Sequence, residues 1–102
     1  VAKDQFLILS LKHSEGSKPC FWRPDDAGYT TIPWAAGVYN RAAVEANPKY
    51  YNNGYDTLAV EFSNHALESI GFKCSMDVKK VQELAKAARI QRTLEEKEVS
   101  NG

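Results

Sequence analysis

Apolar and polar positions divide the chain into several short runs and one long periodic one. Phe6-Leu-Ile-Leu-Ser-Leu11 is almost continuously apolar. A strand buried on one face alternates, whereas a strand covered on both faces does not, so this run predicts an inner strand. The polar stretch Lys12–Lys18, with Gly16 inside it, leads to a second apolar group at Cys20-Phe21-Trp22, followed by Arg23-Pro24. Together these predict a hairpin with a mobile tip. Thr57-Leu-Ala-Val-Glu-Phe62 alternates, with Leu58, Val60 and Phe62 on one face and Ala59 and Glu61 on the other, as in a half-buried strand.

Turn chemistry separates these runs. Asp25-Asp26-Ala27-Gly28 has turn composition, since aspartates bond neighbouring amides and glycine accepts positive φ. Tyr29 to Ile32 then reads as a short extended segment, and Pro33 through Gly37 as a loop over the core with Trp34 as its anchor. Asn40 is placed to cap a helical turn over Arg41–Ala46. Pro48 cannot continue that helix, so Asn47 caps a second turn that carries Tyr50 and Tyr51 and closes at Asn52-Asn53-Gly54. Asn64 caps a short helix containing Ala66, Leu67 and Ile70, which Gly71 ends.

The long periodic run begins at Ser75, a cap, with Asp77 in the first turn. Val78, Val81, Leu84, Ala85 and Ala88 form one apolar face, and Arg92 falls on that face one turn later, so the helix is expected to leave the core after Ala88. Ala87, Ile90 and Leu94 make a second, narrower stripe on the opposite side, which is either a solvated helix end or a self-association surface for a homodimer or partner. Glu95–Glu98 and the last four residues read as a disordered tail. The expected fold is α+β: a small antiparallel sheet of about three strands, built near 6–11, 19–23 and 57–62, packed with short helices and a longer C-terminal helix. One domain spans residues 1–98, with 99–102 as tail.

Composition narrows the function classes. The 102 residues, 43% of them hydrophobic, suffice for one core. Thirteen basic residues balance thirteen acidic ones, which disfavours a nucleic-acid or anionic-membrane partner drawn by overall charge. The longest apolar run is far short of the ~20 residues of a membrane span. With no secretory pattern at the start, a cytoplasmic setting is expected. Cys20 and Cys74 fit neither a disulfide framework nor a zinc site, which leaves buried thiols or a single bridge.

Catalytic signatures are missing: there is no glycine-rich phosphate loop, no nucleophile elbow and no His-x-x-x-His or Cys-x-x-Cys pair. No cofactor and no metal is therefore expected, and His13 and His65 read as surface residues. The unusual feature is the span from Trp22 to Tyr55, which holds both tryptophans and all five tyrosines among Arg23, Arg41, Lys49 and several asparagines. Rings with polar tips beside cations suit a binding surface, although a small core also needs large side chains. A ligand surface here would combine a ring with a fixed positive charge. Trp22 and Arg23, adjacent on a strand, point to opposite faces, so Trp22 is assigned to packing. The expected binding constellation is Arg23, Tyr29, Tyr50 and Asn53, with Ile90 and Leu94 as the self-association candidates.

Phe21-Trp-Arg-Pro-Asp-Asp-Ala-Gly-Tyr-Thr30, Pro33-Trp-Ala-Ala-Gly-Val-Tyr39 and Tyr50-Tyr-Asn-Asn-Gly-Tyr-Asp-Thr-Leu-Ala-Val60 resemble, in that order, motifs of a group of small phage and prophage proteins. The resemblance covers roughly Phe6 to Phe62 and carries no catalytic or binding residue with it. It implies origin rather than activity; by analogy with small phage accessory proteins, which often act by binding, the expected function is that of a phage accessory protein in the host cytoplasm that binds rather than catalyses. Its partner would be a host protein or other macromolecule, or a small anionic, nucleotide-like ligand, and its action inhibition of a host or defence system. The alternatives are a nucleic-acid-binding module and a small enzyme without a recognisable motif.

Overall fold

The computed structural model describes residues 5–14, 18–32, 35–71 and 76–101. The chain forms an α+β fold in the order β1 (Gln5–Ser10), β2 (Phe21–Trp22), β3 (Tyr29–Thr30), β4 (Tyr39–Asn40), α1 (Arg41–Ala46), α2 (Pro48–Tyr51), β5 (Thr57–Glu61), α3 (Asn64–Ser69) and α4 (Val78–Asn101). All strand pairings are antiparallel. β5 runs along β1 from Phe6↔Glu61 to Ser10↔Thr57. β2 pairs with β1 at Leu9↔Phe21, and β4 pairs with it at Gln5↔Asn40 and Phe6↔Tyr39. A strand has only two edges, so β2 and β4 lie end to end on the edge that β5 leaves free, with β3 outside β2.

β1 is the inner strand its apolar run predicts: Leu7, Ile8, Leu9 and Ser10 are all buried. Leu7 and Leu9 face one side with Phe21, Leu58 and Val60, against Leu67, Ile70, Met76, Val81 and Ala88 from α3, α4 and the segment between them. Ile8 faces the other side with Trp22, Tyr39 and Val44, and Phe6, Tyr51 and Ala59 complete that cluster. Burial on both sides removes the alternation that marks a one-faced strand.

The short helices form where their caps allow. Asn40 Oδ1 accepts the amide of Ala43, and α2 begins at Pro48 after Asn47, whose side chain makes no cap bond. Three expectations shift in position. Ser63 rather than Asn64 caps α3, its hydroxyl accepting the Ala66 amide. Asp77 precedes α4 and its carboxylate accepts the Lys80 amide. Phe62 and Val78, assigned to apolar faces, are substantially exposed because each lies just beyond the layer it was expected to join. The expected roles of Trp34, Cys74, Ser75 and the His65 side chain lie outside the described residues.

α4 does not leave the domain at Ala88. Arg92 is mostly buried and bonded to Glu95, and Lys49 of α2 pairs with Glu96 at 3.3 Å. Long basic side chains can cover apolar surface while keeping their heads polar, so an arginine continues the buried stripe. The helix runs on to Asn101, so residues 95–101 of the segment expected as a tail are helical.

The loop between α2 and β5 fastens three parts together. Asn52 Oδ1 accepts the outward-pointing Ala59 amide, and the Gly54 amide donates to Thr57 O. Gly54 has φ +80, and an added methyl would collide with the carbonyl oxygen of Ala85 and approach Arg89 N to 2.9 Å. Both conformation and closeness to α4 therefore require glycine. Gly54→Ala is expected to destabilise the domain by about 2–4 kcal/mol, read as a lower urea midpoint with an unchanged m-value.

A candidate aromatic pocket

The β2–β3 hairpin sets the site. Trp22 and Tyr29 are directly paired across it, and side chains directly opposite each other in an antiparallel pair share a face. The connection is strained by its sequence: Asp25 and Asp26 both adopt left-handed backbone, with φ 58 and 56. Aspartate tolerates that region better than most residues, and Gly28 at φ 102 completes the reversal.

Tyr39 holds this turn from beneath. Its hydroxyl donates to Arg23 O at 2.6 Å and accepts the Asp26 amide at 3.1 Å. Burial, with the nearby Asp26 charge and the Tyr51 phenol adding to it, pushes the Tyr39 phenol up to about 12. Burial chiefly, and then the same carboxylate, raises Tyr51 as well. Asp26 therefore stands over two tyrosine hydroxyls with its side chain still exposed.

α2 supplies the opposite wall. Tyr50 meets Trp22 edge-to-face at 5.1 Å, and Tyr51 packs beneath both, 4.9 Å from Tyr50 and 5.7 Å from Trp22. Such edge-to-face sets fix ring planes as well as bury area. On the hairpin side, His13 stacks on Tyr29 with centroids 4.0 Å apart. His13 is itself tied to Ser10, whose hydroxyl lies 2.9 Å from Nδ1 and accepts the His13 amide.

The result is an open pocket of about 140 Å³ lined by Trp22, Asp26, Gly28, Tyr29 and Tyr50. Tyr29 and Tyr50 are 47% and 46% exposed and so present ring surface to solvent, while Trp22, at 9%, forms the floor. Among the described lining residues Asp26 alone carries a formal charge.

Of the expected constellation, Tyr29 and Tyr50 come together here. Arg23 does not: it alternates with Trp22, lies outside the lining, and runs past Gly28, where a methyl would sit 3.9 Å from its Cδ. Asn53 is engaged elsewhere, its Oδ1 accepting the amides of Tyr55, Asp56 and Thr57 and its Nδ2 donating to Lys49 O. Trp22 packs in the core as expected, on the face opposite Arg23, but the cross-strand register puts Tyr29 on the face of Trp22 rather than with Arg23. Asp26, read as a turn former only, is both turn and lining. The register held the missing signal, because a six-residue loop over 23–28 leaves positions 22 and 29 opposite each other. Ile90 and Leu94 remain exposed on α4, and Cys20 is a buried free thiol whose pKa burial raises.

No family model, no curated protein and no solved structure matches the chain.

The Tyr39 bonds give a pH-dependent expectation. A phenol whose pKa is higher folded than unfolded favours folding while it is neutral, so its contribution is complete below about 10 and is lost as pH rises through about 12. Tyr39→Phe leaves Arg23 O and the Asp26 amide without their partner and should cost about 2 kcal/mol near neutral pH. It should also reduce the loss of stability on going from pH 10 to about 12, measured by urea unfolding across that range.

Proposed function

We propose that this protein is a non-enzymatic binding module whose aromatic pocket takes one basic side chain of a protein partner. The observation that carries the reading is the lining: Trp22, Tyr29 and Tyr50 around a single carboxylate, Asp26, with no cationic side chain among the described lining residues. Ring faces carry negative quadrupole charge, so a cage of them beside a carboxylate attracts an ammonium or guanidinium group. Size argues in the same direction. About 140 Å³ is well below the ~300–1,000 Å³ of small-molecule sites and suits one protruding group rather than a free nucleotide.

This reading keeps the expectation of a macromolecular partner and reverses the charge expected of the bound group. Resemblance of the Phe21–Thr30 and Tyr50–Val60 motifs to small phage proteins supports a host protein as that partner, since small accessory proteins commonly act by blocking one. The same residues build the pocket.

Titration with short peptides bearing lysine, trimethyl-lysine or arginine, followed through the Trp22 indole and the Tyr29 and Tyr50 ring resonances, tests it. Basic peptides should shift those signals saturably and acidic ones should not. Tyr50→Ala and Asp26→Asn are each expected to weaken binding by about fivefold to tenfold; Asp26→Asn should leave the melting temperature nearly unchanged, whereas Tyr50→Ala, which also removes a ring packed on Trp22 and Tyr51, should lower it by a few degrees. Arg23→Ala should leave affinity unchanged or raise it slightly. Preference for acidic peptides, abolished by Arg23→Ala, would sink the proposal.

A further inference from the structure

A second cavity lies on the opposite side of the sheet, where α4 meets the α2–β5 loop. It measures about 450 Å³ and is lined by Leu11, Ser14, Gly54, Tyr55, Met76, Val78, Val81, Gln82, Ala85 and Arg89. Its walls are chiefly apolar and partly open to water, since Tyr55 is 70% and Val78 40% exposed. A small domain rarely leaves apolar side chains around an open cavity of this size unless something fills it.

Arg89 supplies the polar end. Its Nη1 donates to Gly54 O at 2.8 Å, and its guanidinium carbon lies 5.3 Å from the centroid of the Tyr55 ring. Among the described ion pairs the carboxylates go to Arg41, Lys49 and Arg92, and Arg89 has none. One carbonyl takes one of the five N–H donors of a guanidinium, so a partly buried positive charge faces the cavity with donors to spare. The group is also positioned rather than loose, because the Gly54 bond and the ring fix its plane, and Gly54 admits this approach by having no side chain.

We infer that this cavity binds a small-molecule carboxylate with an apolar body, its carboxylate on Arg89 and its body against Leu11, Val78 and Val81. The inference gives the expected anionic ligand a cation other than Arg23, on the face away from the aromatic pocket. The inference does not rest on that pocket: Tyr50→Ala should leave it unaffected.

Octanoate is a suitable probe, with octanol as its uncharged counterpart. In amide-shift titrations octanoate should produce saturable changes at Leu11, Tyr55 and Gln82 and bind about tenfold more tightly than octanol. Arg89→Gln should erase that preference. Because Arg89 also holds Gly54, a second pair isolates charge at the mouth: Val78→Glu should bind octanoate several-fold more weakly than its isostere Val78→Gln, as a carboxylate near the site repels another. The inference is overturned if octanoate gives no saturable shift at Tyr55 and Gln82, or if octanol binds as well. Equal binding to the two Val78 variants, or a preference that persists in folded Arg89→Gln, would overturn it too.

Discussion

Everything in this fold is arranged around β1, a strand of six residues that must satisfy two edges and two faces at once. β5 occupies one edge completely. The other is divided between β2 and β4, and that division keeps both to two residues each. Because both faces of β1 are apolar, helices are needed on each side. α3 and α4 cover the leucine face, whereas α1 and α2 cover the face of Ile8, Trp22 and Tyr39. Loss of water from both faces of one strand is the main gain that offsets ordering so short a chain.

The two cavities lie on opposite faces of this sheet: the aromatic pocket opens between the β2–β3 hairpin and α2, and the larger one where α4 meets the loop leading into β5. Tyr50 at one end of that region looks into the aromatic pocket, while Gly54 and Tyr55 line the cavity beside α4. Asn53 between them binds three successive amides and is thereby fixed in place. A loop held this tightly presents its flanking rings at set angles, which favours recognition by preformed surfaces over recognition by folding around a ligand.

Local signals were legible where one residue type has one physical use. The Asn40 cap, Pro48 at the start of a turn, Gly28 and Gly71 at positive φ, and the apolar run of β1 could all be read directly. The coarse site was partly legible too, since Tyr29 and Tyr50 do converge. What failed were inferences that depend on register. Neighbours along a strand point apart, which correctly separated Trp22 from Arg23, but which of them shares a face with Tyr29 depends on the length of the intervening turn. Nor can periodicity tell that Arg92 continues a buried stripe, because its stem is apolar and its head is not. Local sequence does not mark Arg89 either, because its partners, Gly54 and Tyr55, are more than thirty residues away in the chain.

The bond from Asn52 to Ala59 has a further meaning. β5 is an outer strand, and its odd-numbered residues turn their backbone groups away from β1. Such a row is a template on which a second chain can add a strand. Here the Ala59 amide is occupied by a side chain and the Thr57 carbonyl by the Gly54 amide, so the chain mimics the missing neighbour with its own preceding loop. At the far side of the sheet β3 offers only two residues, too few to seed pairing. Among the described residues the sheet is thus shielded against edge-to-edge growth, at β5 by Asn52 and the Gly54 amide and at β3 by brevity.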